Sequence, residues 1–160
     1  MKKQILTALL AASSLCFTMS PGHAYPALFP NTGYSWVGDT MPFFDGQEFR
    51  SFYLEDLRDG DVGFHPWSRW TTKDFTDYHH DSKVIPYDGS NEFAKDSALG
   101  TGSVVKGKDG LYHAFYTGFN WRSMPKETIM HAVSRDLVSW QKLPEDSFHG
   151  SKPYIYDDTF

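Results

Sequence analysis

Cysteine is almost missing from this chain. Cys16 is the single cysteine in 160 residues, and it falls in the N-terminal stretch read below as a leader. The remainder has no thiol, which excludes disulfides, thiolate metal sites and cysteine nucleophiles. The histidines show no HExxH or HxH spacing, so a zinc site lacks its usual ligand pattern. Neither a Walker loop nor a GxGxxG sequence is present, and no cofactor is expected. Positive charge is also short: 15 Lys and Arg against 20 Asp and Glu leave a net charge of −5. That is the wrong sign for displacing counterions from nucleic acid. No apolar run reaches the ~20 residues needed to span a bilayer.

Aromatic residues are plentiful instead. Thirteen Phe, nine Tyr and five Trp are too many for a disordered segment. Thirteen Gly and nine Pro, without a period of three, exclude collagen and break up long helices.

Residues 1–24 form a different kind of sequence. Lys2 and Lys3 precede an apolar run over residues 5–15, and Gly22-His23-Ala24 sets small residues before a cleavage point. This pattern predicts a secretory signal peptide cut after Ala24. The expected product is residues 25–160, secreted to an extracellular or periplasmic space and free of the membrane after cleavage. Leu15 is too bulky for the position before a lipid-modified Cys16. Removing the leader takes away two Lys and no acid, so the product carries a net charge of −7.

The rest is organised by a repeat. Phe49-Arg-Ser-Phe52-Tyr53 returns further along as Tyr112-His-Ala-Phe115-Tyr116. Thr72-Lys73-Asp74-Phe75-Thr-Asp-Tyr78 returns as Ser134-Arg135-Asp136-Leu137-Val-Ser-Trp140. The step from Tyr53 to Tyr116 equals the step from Asp74 to Asp136 to within one position. Two matches in one order at nearly one offset define a structural repeat. Asp45-Gly46 and Asp109-Gly110 are hairpin-turn signals between apolar runs. The segments at 102–105, 111–116 and 128–133 are short and rich in β-formers. In the Ser-Arg-Asp-Leu element, Ser and Asp can bond the local backbone while Leu and Trp tuck beneath. No helical stripe stands out. A unit of about four short strands reads as a propeller blade. Two blades leave a ring open, so an all-β chain forming part of a longer propeller is expected, two blades and the start of a third near residues 156–160.

The strongest local chemistry lies at Trp36-Val37-Gly38-Asp39-Thr40-Met41-Pro42. An acid beside a glycine, on the first strand of a blade, suits a carboxylate aimed at the central channel. Trp36, Trp67 and Trp70 are flat platforms of the kind that sugar rings stack on. Other stretches read as structural. Asp56, Asp59 and Asp61 lack the Gly and Glu of an EF-hand and suit a solvated loop. His79-His80 reads as surface, His113 as core or channel lining, and Tyr53 and Tyr116, at equivalent repeat positions, as packing.

From about Tyr34 to Phe160 these residues resemble the N-terminal part of the five-bladed propeller of glycoside hydrolase family 32, the β-fructosidases. The segment from Trp36 through Asp39 to Pro42 resembles the family's Trp-x-Asn-Asp-Pro-Asn-Gly motif. The acid matches, while Gly38, Thr40 and Met41 replace its neighbours. His65-Pro66-Trp67 resembles the segment that sets an aromatic residue beside the sugar. Gly102-Ser103 resembles part of the Phe-Ser-Gly-Ser motif that contacts substrate hydroxyls. The run from His131 to Trp140 resembles the family's His-Ala-x-Ser-x-Asp-Leu-x-x-Trp stretch. The resemblance implies a five-bladed all-β propeller and retaining hydrolysis of a fructan or sucrose-like substrate. It implies Asp39 as nucleophile, with Trp36, Trp67, Gly102 and Ser103 binding substrate. Retaining hydrolysis takes a second carboxyl about 5–5.5 Å from the first. The family's Arg-Asp-Pro acid and acid/base Glu have no counterpart here, since Glu48, Glu55, Glu92, Glu127 and Glu145 sit in other contexts. The chain alone is therefore expected to be inactive. Two alternatives stand beside this reading: a related propeller glycosidase of arabinan or xylan type, and a non-catalytic carbohydrate-binding module.

Overall fold

A computed structural model describes residues 35–56 and 65–149. The signal peptide expected at residues 1–24, the loop acids Asp59 and Asp61, and the third repeat expected near residues 156–160 lie outside the described residues.

Among the described residues eight strands follow one another: β1 (Trp36–Phe44), β2 (Phe49–Asp56), β3 (Trp67–Thr72), β4 (His79–Ile85), β5 (Ala98–Lys106), β6 (Tyr112–Phe119), β7 (Glu127–Ser134) and β8 (Trp140–Lys142). A short 3-10 turn at Pro144–Asp146 closes the series. The strands form two antiparallel four-stranded sheets in sequential order, β1–β4 and β5–β8. This is the all-β, partial-propeller architecture expected from the repeat, one sheet per blade.

The two hairpins at Asp45-Gly46 and Asp109-Gly110 occur where the sequence signals them. Gly46 and Gly110 adopt φ of 100° and 84°, which side chains rarely tolerate. Asp45 Oδ1 accepts the backbone N–H groups of Gln47 and Glu48, and Oδ2 accepts two N–H bonds from Arg50. Burial alone would push the Asp45 carboxyl up, but these donors hold it below the usual carboxylate value.

The threonine- and serine-led turns also match their sequence reading. Ser134 Oγ accepts the N–H of Asp136 and Leu137, and Asp136 Oδ1 accepts those of Val138 and Ser139. One repeat earlier, Thr72 Oγ1 accepts from Asp74 and Phe75, and Asp74 Oδ1 from Thr76 and Asp77. Leu137 and Phe75 both take positive φ, 62° and 60°.

The core lies between the two sheets. Side chains alternate across each strand, so β6 and β7 bury Ala114, Tyr116, Met130 and Ala132 on one face and leave the other face partly open. Three aromatic pairs bridge the sheets: Phe43 with Tyr112, Phe52 with Trp140, and Trp67 with Tyr116, at centroid distances of 5.8, 5.9 and 5.8 Å. Such pairs contribute roughly 0.5–1.5 kcal/mol each beyond their buried area. Arg69, buried on β3, ion-pairs with Asp81 and donates to the carbonyl of Leu137. This bond pins the second blade's turn onto the first blade.

Tyr53 and Tyr116 are both buried, as their repeat positions suggest. Tyr116 donates to Asp96 at 2.9 Å, and burial with that acid raises its pKa well above the usual phenol value. The histidines correct the sequence reading in part. His79 is exposed, but His80 is half-buried, stacked on Trp70 at 4.5 Å and bonded to the Tyr53 hydroxyl at 2.7 Å. His113 lies outside the buried core. It sits on the outer face of the second sheet, stacked on His131 and sharing a 2.9 Å hydrogen bond with it.

Candidate functional site

Each sheet begins with the strand that meets its neighbour: β1 lies against β5. Both strands are irregular at the same place. The β1–β2 register shifts between Gly38 and Met41, and the β5–β6 register between Leu99 and Gly102. A bulge re-aims side chains out of the pleat. Here it takes Asp39 into the left-handed region, φ 50°, a conformation Asp tolerates better than most residues. Asp39 is exposed, and its Oδ2 accepts a 2.5 Å hydrogen bond from Thr101 Oγ1. Thr101 occupies the repeat position of Asp39. One carboxylate oxygen is thus held from the neighbouring sheet.

Beside it lies an open depression of about 350 Å³ lined by Trp36, Val37, Gly38, Asp39, Leu54, Asp56 and His65. This is at the small end of the ~300–1,000 Å³ range of ligand sites. Strand register explains the lining: Trp36 pairs with Asp56, and Gly38 with Leu54. Trp36 is 67% exposed. Asp56, only 5% exposed, closes the end of β2. It is not the solvated loop residue the sequence suggested, because pairing with Trp36 carries β2 through it. The depression thus combines an exposed carboxylate, a buried carboxylate, an imidazole and an aromatic plate. These groups can stack on a sugar ring and hydrogen-bond its hydroxyls.

The structure brings together Asp39 and Trp36 of the expected site residues and separates the others from them. Trp67 is fully buried among Phe52 and Tyr116, with its indole N–H donating to the Gly100 carbonyl at 2.9 Å. A stacking platform needs a free ring face, and Trp67 has none, so its role is corrected to core. Gly102 serves close approach: a Cβ there would lie 2.0 Å from the Phe115 carbonyl oxygen. Its N–H points at Met41 Sδ, 3.1 Å away. Ser103 is exposed, and neither residue lines the depression.

Asp56, His65 and Thr101 were missed. Thr101 was signalled by its repeat equivalence to Asp39. Asp56 and His65 had no such signal, since only register shows that they share a wall. Glu55, next to Asp56, faces the opposite side of β2. It is 1% exposed and accepts hydroxyl bonds from Ser35, Ser68 and Ser82. A carboxylate so enclosed cannot reach a substrate. Among the described residues no group of His, Cys, Asp and Glu could hold a metal ion.

No protein-family model and no curated protein matches the chain. Solved structures do. A glycosyl hydrolase from Bacteroides ovatus superposes with a TM-score of 0.55 at 19% identity, covering 68% of this chain and 31% of that one. The GH32 β-fructofuranosidase of Bombyx mori gives 0.58 at 14% identity, covering 78% and 26%. The exo-β-1,3-galactanase of Phanerochaete chrysosporium gives 0.55 at 11%, covering 68% and 25%. The chain spans under a third of the length of each of these structures, and at such identities what they share with it is the propeller fold.

Proposed function

We propose that this chain is a portion of a propeller glycoside hydrolase that acts on fructosides with retention. In this reading a sugar ring lies on Trp36, and Asp39 faces the anomeric carbon as nucleophile. The observation that carries it is Asp39 itself: exposed at a bulge, oriented by Thr101 and lining one depression with the exposed Trp36. The GH32 β-fructofuranosidase among the similar folds supports the fructoside assignment, and the order of motifs along the chain supports it further. Protonation of the leaving group, which contributes roughly 10²–10⁴-fold, needs a second acid, and Asp56, the other carboxylate lining the depression, is only 5% exposed. The chain alone binds and does not turn over. The leader pattern supports export, which N-terminal sequencing of the product from medium or periplasm checks by a start at Tyr25.

The test is titration of the chain with a short fructan, followed by NMR of the Trp indole N–H groups. The Trp36 signal is expected to shift, and Trp36→Ala to weaken binding by about tenfold or more, equivalent to ~1.4 kcal/mol. Asp39→Asn is expected to weaken it as well. Absence of any shift with fructan while a xylan or arabinan oligomer shifts Trp36 overturns the fructoside assignment. A second reading is favoured by Asp39 being, among the described residues, the one exposed carboxylate lining the depression: a non-catalytic carbohydrate-binding module. Binding indifferent to Asp39→Asn supports that reading over the first.

A further inference from the structure

The connection between β6 and β7, residues 120–126, carries large side chains into solvent. Trp121 is 62% exposed and Met124 74%, and Phe93, on the connection between β4 and β5, is 64% exposed. Turns are ordinarily built from small and polar residues, and this one is braced from beneath. Asn120, itself buried, donates from Nδ2 to the carbonyls of Glu92 and Ala94 at 2.8 and 2.7 Å, and its Oδ1 accepts the Arg122 N–H at 2.8 Å. The Asn120 backbone N–H closes the turn on the Lys126 carbonyl at 2.8 Å. Arg122 ion-pairs with Glu92 at 3.0 Å, and Ser97 Oγ donates to the Phe119 carbonyl at 3.0 Å. Two connections distant in sequence are thus fastened into one unit. A buried amide bonded on both its oxygen and its nitrogen fixes backbone, and the backbone fixed here is the one that bears Trp121 and Phe93. The indole is also held: Phe119 meets it in a T-shaped contact at 4.4 Å, and Lys126 Nζ lies 5.5 Å from its ring centre.

The place of this turn in the fold points to its ligand. β1 and β5 run side by side in one direction, since Asp39 meets Thr101 and Met41 meets Gly102. The start of β5 pairs with the end of β6, Ala98 with Phe119, and that end pairs with the start of β7, Phe119 with Glu127. The turn therefore stands at the same end of the sheets as Asp39. By the repeat it is the counterpart of the β2–β3 connection, near whose end His65 lines the depression. Thr101 to Ala98 is about 10 Å along β5, and one strand spacing of about 5 Å leads across to Phe119. Further blades of a longer propeller pack on sheet faces, while a turn at a sheet end stays at the rim.

We propose that Trp121 is a second sugar-binding platform, which takes the distant units of an oligosaccharide whose end lies at Trp36 and Asp39. The proposal rests on the carbohydrate reading of the depression and deepens it: the substrate is a chain of several sugar units rather than a disaccharide. An indole next to paired ions of both signs suits a neutral ligand rich in hydroxyls. The ring supplies apolar surface, and the exposed Arg122 and Glu92 supply donors and acceptors. Bracing by Asn120 lowers the ordering cost of binding.

The test compares a short fructan with a long fructan of the same linkage, read by NMR of the indole N–H groups. The Trp121 signal is assigned by its loss in Trp121→Tyr. The short fructan is expected to shift the Trp36 signal alone, and the long one to shift Trp36 and Trp121 together. Trp121→Ala is expected to weaken binding of the long fructan by about tenfold and to leave binding of the short one unchanged. Trp121→Tyr, which keeps a ring, is expected to retain long-chain binding. Far-UV circular dichroism checks that both variants keep their strands, and the wild-type shifts test the proposal without either variant. A Trp36 shift with the long fructan while Trp121 stays silent overturns the platform and leaves the reading of the depression standing. Equal weakening of both fructans by Trp121→Ala overturns it too, because a structural role would act that way. A Trp121 shift with Trp36 silent supports sugar binding at the turn and overturns the reading of the depression. Silence of both signals overturns both.

Discussion

The turns after β3 and after β7 have the same hydrogen bonds and opposite surroundings. In each, a hydroxyl and an Asp carboxylate take up four backbone N–H groups, and the fourth residue sits at positive φ. Yet Leu137 is 1% exposed and Phe75 is 45% exposed. Local side-chain to backbone bonding therefore builds the turn, and only a neighbouring sheet decides whether its apolar residue is buried. The same split runs through the tryptophans. Trp67 faces the second sheet and is sealed, while Trp36, the first residue of β1, is 67% exposed.

The widest separation should appear between those two tryptophans. Trp67→Ala is expected to destabilise by about 3–5 kcal/mol, and Trp36→Ala to stay within roughly 0.5 kcal/mol, both read from urea unfolding. Equal losses would mean that the inter-sheet core does not hold the fold. Next come the turns. Leu137→Ala should cost about 2–5 kcal/mol and Phe75→Ala less than about 1 kcal/mol. A Phe75 effect as large as that of Leu137 would break the comparison. Among the glycines, Gly102→Ala should cost about 1–3 kcal/mol through overpacking against the Phe115 backbone. Gly38→Ala, with nothing within 4 Å of the added carbon, should leave stability near the wild type.

The smallest effect is acidic. Backbone N–H bonds from Thr76 and Asp77 lower the Asp74 carboxyl from 3.8 to about 2. Those of Ser139 and Val138 lower Asp136 in the same direction. A carboxyl whose folded pKa is depressed supports the fold above its unfolded value and loses that support as pH falls through the folded one. Amide exchange at Thr76 and Asp77 should therefore speed up as pH drops from about 4 to about 2, relative to Asp74→Ala. Exchange with the same pH dependence in that variant would remove the carboxylate from the account.

The repeat was legible because its strongest marks are local. Asp45-Gly46, Asp109-Gly110 and the two Thr- or Ser-led turns need only their own neighbours to form, and all four are present where the sequence put them. Two sheets of four strands follow from their spacing. The site was only half legible. Asp39 could be singled out beside Gly38, but its bulge and its bond to Thr101 require two sheets to meet. Trp67 misled because an aromatic residue on a strand looks the same whether it faces a partner sheet or a channel. Glu55 and Asp56 are adjacent in sequence, yet one is enclosed by serines and the other lines the depression. That alternation is fixed by pairing partners distant in the chain, outside any local window.

The outermost strand of the first sheet has a consequence for solubility. β4 carries His79, His80, Asp81 and Lys83, Lys83 sits at φ 54°, and its N–H is taken by the Ser68 hydroxyl at 2.9 Å. The β3–β4 register shifts between Trp67 and Arg69. A charged, kinked border is a poor template for lateral strand addition. Fibril growth of the cross-β kind needs a flat, unbroken border, so a chain this rich in exposed aromatic rings keeps a built-in guard against amyloid along that border.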